Sequence, residues 1–260
     1  MIETYKLYGG KLNLLFDTEK HLYTANGKIV EGVTSITGII NKPALIYWAV
    51  NQCVDYLARV IKPGKEYDEI EIQSMLADAK YAHRKKSTEA ANIGTLVHDA
   101  IETWIKTGKK TELINEKARG AFDLFLKWVK EENVKFLESE RKVCSKKWGY
   151  AGTLDFICTI GEKRFIGDTK TSTGIWGEYW LQISGYQQAY EEEMAYLKSN
   201  IKVDGQVIVR VGKDGSFEVQ KSDAYPRDQK AFNGTLVLYR RLKERENQNK
   251  RDYFNKKGGE

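Results

Sequence analysis

The sequence predicts an α/β protein, a mixed central sheet flanked by helices, with a mostly helical cap at its N-terminal end. Three observations predict it. Apolar residues recur at helical spacing through most of the stretch from residue 43 to residue 133. Three short apolar runs then follow at about 136–146, 150–159 and 163–170, bounded by turn residues. A long helical stretch, roughly 178–198, separates these runs from another strand, Val203 to Val211, so strand and helix alternate as a sheet covered by helices requires.

Residues 11–30 alternate around Gly and Asn and read as a hairpin. Val33-Thr34-Ser35-Ile36-Thr37 is a short β-rich run leading into a helix over 43–61, where Leu45, Trp48, Cys53, Tyr56 and Val60 recur and Pro63-Gly64 ends the pattern. Residues 68–90 read as a second, highly charged helix or pair of helices. Gly94 precedes a helix over about 95–107, stopped by Gly108, and 115–133 is amphipathic, carrying Phe122, Phe125 and Val129. After the strands and the 178–198 helix comes a hairpin around Lys213-Asp214-Gly215, then a terminal helix over 226–248. These boundaries divide the chain into a β-hairpin and helical cap (1–90), a core (91–248) and a basic tail (249–260) expected to be disordered.

Composition narrows the function classes. The chain has 260 residues and 41% apolar content, enough for a real core. No apolar run approaches the length of a membrane span and MIETYKLYGG is no signal peptide, so a cytoplasmic protein without membrane contact is expected. Cys53, Cys144 and Cys158 are far apart and form no CxxC, which argues against a disulfide framework and a structural zinc. A net charge of +6 is mild, but Arg84-Lys85-Lys86 and the Lys142 to Lys147 stretch cluster it, as a polyanionic partner would require.

The chemistry concentrates in YAGTLDFICTIGEKRFIGDTKTS, residues 150–172. A two-residue turn at Gly161-Glu162 with Gly first has II′ geometry, sets Ile160 opposite Lys163 and so brings Asp155 opposite Asp168. Strand alternation puts Lys170 on the face of Asp168. An acid within an apolar strand is costly unless a cation compensates it, and two facing acids repel. Surface ion pairing or turn capping would explain either acid alone; the pair with its lysine reads as a divalent-metal site. His98 and Glu102 lie four apart on the 95–107 helix; taken alone, His98 reads as a packed histidine at the helix edge, beside the two acids as a metal ligand, and Glu102 as a supporting or solvated acid. Gln182 and Tyr186 share a face of the next long helix; taken alone, ordinary helix–sheet packing explains them best, and phosphate or base contact is the functional alternative. Trp176, in an aromatic, Gly-bearing loop after Lys170, suits base stacking, and sheet-edge packing explains it equally well; Arg84 and Lys85 suit a DNA channel, and a solvated helix face explains them slightly better.

The ordered set GTLVH, GTLD, GDTK and Gln182-x-x-x-Tyr186 resembles the RecB-like, phage-type exonuclease branch of the PD-(D/E)XK nuclease superfamily, over about residues 90–190. The resemblance implies a restriction-endonuclease-like core. It implies Mg²⁺ or Mn²⁺ held by His98, Asp155, Asp168 and the main-chain carbonyl of Thr169, and catalysis by Asp155, Asp168 and Lys170. It implies DNA contact by Gln182 and Tyr186, and matches Glu140 to a glutamate on the preceding strand. Some relatives hold a four-cysteine iron–sulfur cluster; no such cluster is expected here. The implied activity is a metal-dependent deoxyribonuclease, in first place an exonuclease acting in DNA recombination, repair or phage DNA processing. Its partner is DNA, alongside unidentified recombination or replication proteins, in the cytoplasm of the host if the protein is phage-encoded. The alternatives are a structure-specific or flap endonuclease and a non-catalytic DNA-binding accessory protein.

Overall fold

The computed structural model describes the backbone of residues 1–257 and the side chains of residues 1–251. Strand β1 (Ile2–Leu7), a 3₁₀ turn (Tyr8–Gly10), β2 (Leu12–Asp17), β3 (Leu22–Ala25) and β4 (Lys28–Gly32) form an antiparallel meander. Residues 1–32 are therefore strands, one pair more than the expected hairpin. Helix α1 (Val33–Thr37) follows where a β-rich run was expected. Val33 and Ile36 are fully buried against Tyr150, Ile183 and Tyr186, and this packing overrides the β-branched preference of the segment.

Helix α2 (Pro43–Val60) begins on a proline in its first turn. Helix α3 (Glu69–Thr107) is a single 39-residue helix, opened by an Asp68/Glu71 capping box and closed by Gly108 at φ 69°. It fuses the two helices expected at 68–90 and 95–107, with Gly94 inside rather than before it. A Cβ at Gly94 would lie 2.8 Å from Thr171 Oγ1, so the glycine is where α3 meets the end of a core strand.

Helix α4 (Glu116–Glu131) is capped by Asn115. Strands β5 (Lys135–Ser145), β6 (Tyr150–Ile160) and β7 (Lys163–Lys170) follow, then α5 (Gly177–Tyr196), β8 (Gly205–Val211), β9 (Phe217–Ser222) and α6 (Tyr225–Lys257). Helix α6 includes residues 249–257, so the expected disordered tail is helical up to there; 258–260 lie outside the described residues.

Among the described residues nine strands make one mixed sheet in the order β1-β2-β3-β4-β6-β7-β8-β9, with β5 also on β6. β7 and β8 are parallel, as a crossover through α5 requires, and β4 meets β6 in parallel through Glu31↔Tyr150 and Gly32↔Ala151. The N-terminal meander thus extends the core sheet. Helices α3 and α4 cover one face through Val97, Phe122, Phe125, Phe156 and Val207, while α5 and α6 cover the other through Leu154, Ile166, Ile183, Tyr186 and Phe232. Among the described residues no helix is long and apolar enough to cross a membrane.

Candidate active site

The site lies where β6 changes partners. Its C-terminal half pairs with β7 and its first two residues with β4. Gly161 has φ 60°, and Ile160 pairs with Lys163, the register read from the turn. The ladder stops at Phe156↔Gly167, one pair short of Asp155 and Asp168. There the Thr169 main-chain N–H donates to Asp155 Oδ2 at 2.7 Å, so a carboxylate takes the place of a strand carbonyl. On the other edge of β6, Ser139 pairs with Phe156 and Arg141 with Leu154, which sets Glu140 opposite Asp155. Glu140 has a left-handed backbone, φ 52°, uncommon for this residue type. Glu140, Asp155 and Asp168 therefore form a rank of three acids across three adjacent strands.

Cations and dipoles offset this rank unevenly. Lys170 Nζ is 2.5 Å from Asp168 Oδ2, an ion pair whose angles miss those of a hydrogen bond and leave that buried oxygen otherwise unpartnered. His98 Nδ1 is 3.7 Å from Asp155 Oδ2. Burial pushes Asp168 up to about 6, with Asp155 adding to the rise and Lys170 opposing it. Burial and the Asp155 charge push Glu140 up to about 7, against Lys142. For Lys170, burial disfavours the charge, but the Asp168 and Asp155 carboxylates outweigh it and hold the ammonium above its ordinary value.

Helix α5 supplies a polar bridge. Gln182 Nε2 donates to the Tyr186 hydroxyl at 3.0 Å and reaches Asp168 Oδ1 at 3.5 Å, while its Oε1 lies 3.4 Å from Lys170 Nζ. Tyr186 is 3% exposed, and a Cβ at Gly152 would lie 2.5 Å from its ring. Tyr186, expected to contact DNA, has its ring packed against Gly152 and its hydroxyl accepting from Gln182. Gln182 is half-buried beside the acids.

The remaining candidates sit further out. Glu102 is ion-paired with Lys106 one turn on, and both charges act on Glu140. Trp176 caps α5 half-exposed, its ring against Gly174, while the neighbouring Tyr179 ring lies 4.8 Å from Lys170 Nζ. Arg84 lies over the Tyr81 ring and Lys85 is exposed, some thirteen residues before His98, roughly 20 Å along the helix. They are not brought to the acids. Lys142 and Lys146, from the second basic cluster, lie over Tyr5 and Phe16 and over Tyr8 and Tyr196.

Two participants escaped sequence reasoning. Lys106 had a signal, its position four residues after Glu102. Arg210 pairs with Lys170 across β7–β8, is nearly buried, and binds Glu218 and Ser216; a lone cation in the apolar strand GQVIVRV was the sign.

Carboxylate oxygens with one imidazole suit a hard divalent ion such as Mg²⁺ or Mn²⁺, and Asp168 Oδ2, buried with only the Lys170 ammonium beside it, is the kind of atom such an ion satisfies. Among the described residues no three His, Cys, Asp or Glu side chains already converge as a metal-holding group. The Lys170 ammonium occupies the contact with Asp168 instead.

No protein-family model matches the chain, and no curated protein matches it. Among solved structures, the crystal structure of SSO0001 is similar at 13% identity with a TM-score of 0.30, covering 76% of this chain and 88% of that one. An alkaline exonuclease, LHK-Exo, from Laribacter hongkongensis is similar at 12% identity with a TM-score of 0.27, covering 58% of this chain and 84% of that one. Likeness at this level identifies neither family nor activity.

Proposed function

We propose that the protein is a divalent-metal-dependent deoxyribonuclease with a restriction-endonuclease-like core, acting as an exonuclease on DNA. The observation that carries this reading is the rank Glu140, Asp155 and Asp168, with Lys170 on its last member and His98 beside its middle one. Two of the three acids at this fork of the sheet are pushed up, and perturbed titratable groups cluster at functional sites.

In this reading Asp155, Asp168, His98 and the Thr169 carbonyl would hold Mg²⁺ or Mn²⁺, with Glu140 as a further oxygen donor. When bound, such an ion lowers the pKa of water and polarises a phosphoryl oxygen. The chain's own residues do the rest. Thr169 N–H fixes one Asp155 oxygen, leaving the other free to accept. Lys170, beside Asp168, would offer its ammonium to the charge developing on a scissile phosphate. Gln182, held by Tyr186, keeps Lys170 and Asp168 in place and presents an amide toward the strand.

The test is digestion of linear DNA labelled at either end, with Mg²⁺, with Mn²⁺ and with chelator. Shortening from an end that needs metal and is lost in Asp168→Asn supports the reading. Cleavage of a covalently closed circle at the same rate assigns an endonuclease. No cleavage with any metal, for a folded protein, overturns it.

A further inference from the structure

The hairpin of α2 and the first half of α3 carries a surface that the site does not use. Nearly half of the large apolar side chains exposed among the described residues fall between Leu45 and Tyr81, a concentration that marks an interaction face. The Tyr56 hydroxyl donates to Asp78 Oδ2 at 3.1 Å and marks one side of the α2–α3 seam. Helical periodicity puts Ile46, Val50 and Val54 of α2, and Ile72 and Leu76 of α3, on the other side. These five are 65%, 56%, 56%, 44% and 54% exposed.

We propose that this face joins two copies of the chain about a two-fold axis, as a four-helix bundle. Two antiparallel helices with one bare apolar face are half of such a bundle, and a second copy supplies an identical face. Acidic and basic residues balance over 43–90, which suits a protein occupant rather than a polyanion. Charge also selects the orientation. Helix α3 opens with Asp68, Glu69 and Glu71 and turns basic over Lys80, Arg84, Lys85 and Lys86. Glu69 and Lys80 flank the Ile72–Leu76 stripe on the same helix face. Antiparallel hairpins set the acidic end of each copy against the basic end of the other, whereas parallel hairpins set like against like.

Sedimentation velocity of the whole chain, from about 1 to 100 μM, reads the assembly. The expected result is a dimer at the top of this range. Val54→Glu with Leu76→Glu places like charges in the seam and leaves a monomer with unchanged helix content, since both positions are exposed. Glu69→Lys alone and Lys80→Glu alone each weaken the dimer several-fold, and the two combined in one chain restore it, which a folding defect does not do. A monomer at about 100 μM overturns the proposal. So does a dimer that survives Val54→Glu with Leu76→Glu, or a double charge swap weaker than either single one. DNA cleavage enters none of these readouts, so the outcome is independent of the proposed activity.

Discussion

Asp155 Oδ2 accepts the main-chain N–H of Thr169 at 2.7 Å at the point where the β6–β7 ladder ends. A carboxylate that accepts from backbone is fixed without a side-chain counter-ion. Asp168 has no such anchor on Oδ2 and relies on Lys170. The two acids are therefore stabilised differently, and their variants should behave differently.

Lys170→Met should abolish cleavage and also destabilise the fold by about 3 kcal/mol at pH 8, because it leaves Asp168 buried without its cation. Near pH 5, below the Asp168 value of about 6, the carboxyl is mostly protonated and the penalty should shrink. Adding Asp168→Asn should recover most of the loss at pH 8. Urea denaturation at both pH values checks this; equal penalties at pH 5 and 8 would show that Asp168 does not need the lysine.

Glu140 and Asp168 bind protons more tightly folded than unfolded, with values of about 7 and about 6 against ordinary ones of 4.5 and 3.8. Their contribution to stability is thus present in acid and lost as pH rises from about 4 to about 7. In chelator, unfolding free energy should fall through that window, by on the order of 1–3 kcal/mol for Glu140, and Glu140→Gln should flatten the profile. Cleavage should run the other way, rising as the acids deprotonate. A stability profile that climbs over the same window would contradict the burial assigned to Glu140.

Tyr186→Phe should leave DNA affinity and its salt dependence unchanged, because the ring is sealed under the site. It removes the hydroxyl that holds Gln182, so the cleavage rate should fall about tenfold while KM stays the same. A weakened affinity in binding titrations would return Tyr186 to the DNA surface.

Arg240 ties α6 to the sheet, donating to Glu31 Oε2 at 3.0 Å and to the carbonyls of Trp148 and Gly149 at 2.8 and 3.0 Å. Arg240→Ala should cost about 1–3 kcal/mol. It should also loosen the β4–β6 junction, which hydrogen exchange at Gly32 and Ala151 would report.

What was legible in the sequence follows from locality. The β6–β7 register was readable because a two-residue turn with Gly161 fixes it. His98 beside Asp155 was expected from the ordered motifs GTLVH, GTLD and GDTK, because helix phase and strand alternation act over a few residues and do not bring the two elements together. Helix α1 and the fusion of α3 across Gly94 were not, because distant packing against Ile183 and Tyr186 and close contact with Thr171 decide them. The left-handed backbone of Glu140 was also hidden; glutamate carries no local preference for it. Tyr186 read as a DNA contact because its burial depends on Gly152, more than thirty residues upstream.

The junction Glu31↔Tyr150 spans well over a hundred residues of chain, while β6 and β7 are joined by a two-residue turn. Closing the long loop is the slow step and the short hairpin the fast one. On the ribosome, then, the first four strands emerge early but must wait, with the β4 edge uncovered, until β6 is made. A chaperone that shields the β4 edge over that interval should raise the yield of folded protein.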